Sequence, residues 1–212
     1  MVGMTVDKRA MPELEGPSGA SVFCVKGTMW LGIREYVGEH VPGGLERVNA
    51  ELSPPHQAFF SQMFLATAWF DLFPMIAVTR AIAIVRRRSH MDQARQLALW
   101  HGEHDLKHIY KAILKQSTPL AVCKRFSLIF SQLYNFGHIE LVREEEGAFA
   151  ACCHGMPEAL ADWWMQATEG YLQPILQAAG GRNVKVSWQP TQPDGERAGV
   201  PLVRVPSLTS WT

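Results

Sequence analysis

The stretch from Gly155 to Gln189 restricts the possible folds of this chain more than any other. Leu160, Trp164, Ala167, Tyr171, Ile175 and Ala178 recur every three or four residues, which puts them on one face of a long helix. Gly180 and Gly181 follow, and glycine takes the left-handed conformation that ends a helix without a Cβ penalty. Val184, Val186 and Trp188 then alternate with Lys185, Ser187 and Gln189, the period-two pattern of a half-buried strand. Pro174 stands inside the helix, where it removes a hydrogen bond and meets the carbonyl of Gly170, at roughly 3 kcal/mol. A kink near 170–174, or two shorter helices, is therefore expected.

The remaining elements are read around this unit. Residues 1 to about 20 mix Gly, Pro and charge without periodicity and read as a flexible tail. Val22 to Val25 reads as a short strand. A helix carrying Trp30, Ile33, Tyr36 and Val37 follows, then a short one at 45–52. Helices at 55–66 and 74–88 flank Trp69-Phe70-Asp71, with Pro74 in a first turn where no N–H is needed. Met91 to Gln116 is a long helix with Leu99, Gly102, Leu106, Ile109 and Ile113 as its apolar stripe. The next begins at Pro119 and buries Val122, Phe126, Ile129, Phe130 and Leu133. Residues 139–153 read as a hairpin around Gly147. Gln192-Pro193-Asp194-Gly195 is a turn sequence before a last strand at 200–205. The expected class is α+β: a helical N-terminal portion packed on a four-stranded antiparallel sheet that one long helix interrupts. Residues 21–208 make a single domain on this reading.

Composition removes several functions. Twenty basic residues balance twenty acidic ones, so no global field draws the chain to nucleic acid. Arg86-Arg87-Arg88 is the only basic run and suits a helix C-terminus. The apolar region 59–85 is broken by Gln62, Asp71, Pro74 and Arg80, short of the ~20 residues a spanning helix needs. Four cysteines without CxxC spacing, and no signal-peptide pattern, suggest a reduced, cytoplasmic protein.

Three groups could carry chemistry. His101, His104 and His108 fall within roughly 60° of one another on a helix, a spacing that can share a metal. Asp105 stands where HExxH has its glutamate, and the face lies opposite the Leu106 stripe, so a solvated face is the preferred reading. His138 and His154 flank the hairpin and read as structural. Cys123 sits beside Lys124 and Arg125, which lower a thiol pKa when exposed; a buried thiol is the commoner case. Trp69, Phe70, Phe126, Phe130, Trp164 and Tyr171 are the candidates to line an apolar ligand pocket, against plain core packing. No P-loop, Rossmann or Gly-x-Ser-x-Gly pattern is present.

The order of elements, with Val25-Lys26-Gly27, Trp69, Pro74, Tyr171-Leu172 and Ala179-Gly180-Gly181-Arg182-Asn183-Val184, resembles a paralogous myxobacterial family of unknown function. More remotely it resembles the superfamily of haem–nitric oxide binding domains, 4-vinyl reductase domains and transport-protein-particle subunits. That resemblance implies a cavity between helices and sheet for haem, a small aromatic molecule or an acyl chain, and a homodimer. The haem-binding members use a histidine on the helix before the hairpin, whereas residues 119–135 contain none. Cys152-Cys153-His154-Gly155 stands near their Tyr-x-Ser-x-Arg motif, and Tyr134 is the only oxygen donor near the end of that helix. Haem is therefore disfavoured at this point, and no cofactor is expected beyond a small apolar ligand. The resulting expectation is a non-enzymatic cytoplasmic module that binds a small apolar ligand or a protein partner, as a homodimer. The alternative is a metal-dependent enzyme or metal sensor using His101, His104 and His108.

Overall fold

A computed structural model describes residues 21–108 and 118–212. The expected tail at 1–20, and Ile109 and Ile113 of the long-helix stripe, lie outside the described residues. The chain runs β1 (Cys24–Lys26), α1 (Gly27–His40), α2 (Gly44–Asn49), α3 (Pro54–Ser61), β2 (Trp69–Asp71), α4 (Pro74–Arg86) and α5 (His90–His108). Then come α6 (Pro119–Leu133), β3 (His138–Glu145), β4 (Ala148–Pro157), α7 (Glu158–Ala178), β5 (Lys185–Trp188), β6 (Gln192–Arg197) and β7 (Val200–Ser210). The class is α+β, with antiparallel sheet pairing.

The sheet has five strands rather than the expected four. Its order is β3-β4-β7-β5, with β6 also paired to β7. The expected turn at 192–195 is part of β6, whose register on β7 shifts between Pro193 and Glu196. That irregularity accommodates a proline without an N–H and a glycine in an edge strand. A separate two-stranded sheet pairs β1 with β2, Val25 opposite Phe70. Three-residue strands are too short to show alternation in sequence, which hides this pair.

The helix at the centre of the sequence argument is continuous from Glu158 to Ala178, with Pro174 inside it, so the expected division into two shorter helices does not occur. It ends as its glycines require. Gly180 has φ 98°, its N–H donates to the Gln177 carbonyl, and Gly181 N–H reaches back to Leu176 at 2.9 Å. This is the paired bonding of a Schellman cap. Gly170 has a packing role: a Cβ there would collide with the backbone carbonyl of Arg95 on α5. A Cβ on Gly102 of α5 would in turn sit 2.8 Å from the Pro174 ring and from the Tyr171 carbonyl. The two helices thus approach closely where each lacks a side chain.

The main core joins α1, α4, α5, α7 and the inner sheet face through Trp30, Val78, Ile82, Leu97, Met156, Leu160, Trp163 and Val205. Trp163 donates its indole N–H to Thr79 Oγ1 at 3.2 Å inside this core. A smaller cluster of Val122, Cys123, Phe149, Leu172, Ile175 and Leu176 fixes α6 and α7 to the sheet. Most of the apolar surplus between residues 59 and 85 is buried: Phe59, Phe60, Phe64, Leu72, Met75, Val78, Ala81 and Ile82 are core. No helix among the described residues is long and apolar enough to cross a membrane.

Candidate functional site

A cavity of about 320 Å³ lies between α1, α5, α6 and α7. Each helix contributes residues at its own three-to-four spacing. Met29, Gly32 and Ile33 come from α1, and Leu97, Ala98, His101 and His104 from α5. Phe126, Ile129, Phe130 and Leu133 come from α6, and Trp164, Ala167 and Tyr171 from α7. Tyr134, the capping residue of α6, closes one side, stacked on Phe130 with ring centroids 4.5 Å apart.

Four of the six aromatic residues singled out in the sequence, Phe126, Phe130, Trp164 and Tyr171, therefore line one cavity. Trp69 and Phe70 do not, because strand pairing takes them to the β1–β2 ribbon. Trp69 is 43% exposed beneath the Lys26 ammonium, 3.9 Å from its ring centroid. Phe70 packs edge-on against Phe64 at 4.8 Å. The remaining wall escapes a sequence search, since nothing marks Gly32, Ala98 or Ala167 as lining residues.

The histidine face corrects the sequence reading more sharply. His101 and His104 are not on a solvated face; both line the cavity. The reason is that α5 is packed on two sides, with Arg95 and Gly102 against α7 and the 97–101 edge toward α1. His104 Nδ1 lies 3.7 Å from Glu35 on α1, and its ring leans on Trp100 at 4.9 Å. Asp105 accepts a hydrogen bond from Tyr171 at 2.8 Å. His108 is the last helical residue described. Among the described residues no group of three His, Cys, Asp or Glu side chains is arranged to hold a metal ion.

His101 is the unusual residue of the site. Its Nε2 is sealed from solvent and has no hydrogen-bond partner. The ring fits against the bare face of Gly32, where a Cβ would stand 2.9 Å from Nε2. Burial lowers its pKa to about 4, outweighing a weak contact with the Gly32 backbone that acts the other way; His104 lowers it further. The imidazole is thus neutral at physiological pH. Tyr134 and the buried Thr168 also line the cavity, and burial raises the Tyr134 phenol pKa well above its ordinary value.

A second, smaller space of about 30 Å³ lies beneath the sheet and shares Phe126, Trp164 and Thr168 with the first. Trp164 connects them, 6.2 Å from the Phe130 ring on one side and 5.8 Å from Trp188 of β5 on the other. Cys123 and Cys153 border this inner space as buried thiols. The activation considered for Cys123 is absent, since burial drives its pKa up to about 12. His138 and His154 stack face to face at 4.8 Å on the hairpin, with His154 Nε2 2.8 Å from Glu140.

No protein-family model and no curated protein sequence matches the chain. Solved structures do. The Fe(II) unliganded H-NOX protein from K. algicida superposes with a TM-score of 0.61 at 10% identity, over 88% of this chain and 96% of that one. An oxygen-binding H-NOX domain related to soluble guanylate cyclases gives 0.58 at 9%, over 88% and 92%. A structure solved to probe heme distortion in the H-NOX family gives the same TM-score, identity and coverage. At these identities the likeness establishes a shared fold, that of H-NOX domains.

That likeness overturns the expectation that haem is disfavoured. The helix before the hairpin, α6, has no histidine, and helical spacing alone sets His101, His104 and His108 on another face. The fold brings a neutral imidazole to the same cavity from α5 instead. The walls are largely apolar and aromatic, with the carboxylates of Glu35 and Asp105 also in the lining, and no lysine or arginine is among the described lining residues. Of the groups a haem would need, the described lining offers an imidazole and flat aromatic walls.

Proposed function

We propose that this chain is a non-enzymatic ligand-binding module of the sensor type, taking a small, flat, largely apolar molecule into the cavity between α1, α5, α6 and α7. The observation that carries this reading is the cavity itself, about 320 Å³ walled by Phe126, Phe130, Trp164 and Tyr171, in a region where protein interiors are ordinarily filled. Haem is within this ligand class, supported by the H-NOX neighbours. When bound, such a group would supply an iron centre for a diatomic gas, and the cavity imidazole and aromatic walls would hold it. A cytoplasmic location, a protein partner that reads the occupied state, kinship with the myxobacterial family and a homodimer complete the reading.

The test uses an environment-sensitive apolar dye and native mass spectrometry of the purified chain. One equivalent of dye, or of a co-purified small molecule, is expected per chain. Ala167→Phe, which fills the space from α7, should abolish that binding while leaving the far-ultraviolet circular dichroism unchanged. Equal binding by the filled variant would refute the cavity as the ligand site. Light scattering at micromolar concentration should give twice the chain mass; a monomer mass would remove the homodimer.

A further inference from the structure

We infer that this cavity selects an organic cation, an amine or quaternary ammonium on an aromatic body, with its charged nitrogen at the Glu35–Asp105 end; this rests on the ligand-binding reading above. The cavity has two chemically different ends. Along α5 the lining passes from Ala94, Leu97 and Ala98 to His101, His104 and Asp105. At 1.5 Å per residue, Ala94 and Asp105 stand roughly 16 Å apart along the helix axis. Beside it α1 runs in the same direction, with Gly32 against His101 and Glu35 against His104. Buried apolar groups close the first end, where Met75, Ala94 and Leu97 are at most 4% exposed. At the other end the Glu35 side chain is 47% exposed, so the carboxylate end is the one that meets water.

Fixed charge at that end has one sign. The carboxylates of Glu35 and Asp105 line it, and the described lining includes no lysine or arginine. Arg34, next to Glu35 in sequence, donates to the Phe60 and Gln62 carbonyls and is turned away. Burial keeps His101 neutral. His104 can carry positive charge, and its Nδ1 is 3.7 Å from Glu35, longer than a hydrogen bond; when protonated it competes with the guest for that carboxylate. The phenol of Tyr171 donates to Asp105 at 2.8 Å, which orients the carboxylate and leaves its charge in place. The rings suit the same guest. Phe126 lies 6.4 Å from Tyr171, and Trp100 lies 4.9 Å from His104, so aromatic groups from three helices gather at the carboxylate end. A cation over such rings is attracted by their quadrupoles. A charge taken out of water needs partners of this kind, and an anion would meet two like charges.

Naphthylmethylamine, naphthylmethanol and naphthoate share one ring system and differ in charge. Each is titrated into the full chain by displacement of the apolar dye. The amine should bind about tenfold more tightly than the alcohol, and the acid most weakly. Glu35→Gln keeps the side-chain shape at an exposed position and should remove most of that preference without changing the affinity for the alcohol. Adding Asp105→Asn, which still offers Tyr171 an acceptor, should remove the rest. Equal affinity for amine and alcohol would overturn the assignment, as would tightest binding of the acid or a preference unchanged in the double variant. In each of those cases displacement of the dye leaves the ligand-binding reading standing. Failure of the dye and of all three probes to bind would remove both.

Discussion

His90 opens α5 with its Nε2 buried and without a hydrogen-bond partner. Burial, and then the positive charge of Arg80, lower its pKa from 6.5 to about 4. Because the folded value lies below the unfolded one, the unfolded chain binds more protons between pH 4 and 6.5. The stabilisation is therefore complete above pH 6.5 and lost as pH falls toward 4, on the order of 3 kcal/mol and less after allowance for partial exposure. His90→Phe should flatten the dependence of the urea midpoint on pH over that window. An unchanged slope would mean that another group carries it. The thiols give a second expectation. Cys123, Cys152 and Cys153 are buried and Cys24 is half-buried, and burial raises all four above the ordinary thiol range. A disulfide reagent should label at most Cys24 in the native protein and all four in denaturant.

The meeting of α5 with α7 depends on two missing side chains. Gly170→Ala places a methyl against the Arg95 backbone, which has no flexible end to move aside. Such overpacking should destabilise by about 1–3 kcal/mol in urea titration. Ala179→Gly, just past the last turn of α7, should change much less. A loss below half a kilocalorie for Gly170→Ala would show that the helices part easily. Legibility in the sequence follows the same division. The long helix and its Gly-Gly stop were readable because large apolar residues at 3.6 spacing and a left-handed cap are local signals. The fifth strand was not, since Pro193-Asp194-Gly195 carries turn chemistry and only β7 makes it a strand. The wall of the cavity was half readable. Phe126, Phe130, Trp164 and Tyr171 stand out as large aromatics, while His101 was assigned to solvent by treating α5 as a helix with one buried face. That helix has two packed sides, a fact held by Gly102, Gly170 and Gly32 rather than by any residue of the stripe.

At the scale of the whole molecule the described residues should unfold as one unit, since α7 contributes to both apolar clusters. Thermal unfolding should then follow one transition, with near-ultraviolet and far-ultraviolet circular dichroism coincident. Separate midpoints for the helical region and the sheet would contradict this. The space walled by α1, α5, α6 and α7, with its annex beneath Trp164, has a mechanical consequence as well. Unfilled volume inside a fold disappears when the chain opens to water, so compression favours the unfolded state. The apo protein should therefore be unusually sensitive to hydrostatic pressure. Filling the space, by ligand or by Ala167→Phe, should raise the pressure at which half the molecules unfold more than it raises the melting temperature, making a pressure cell a direct gauge of occupancy.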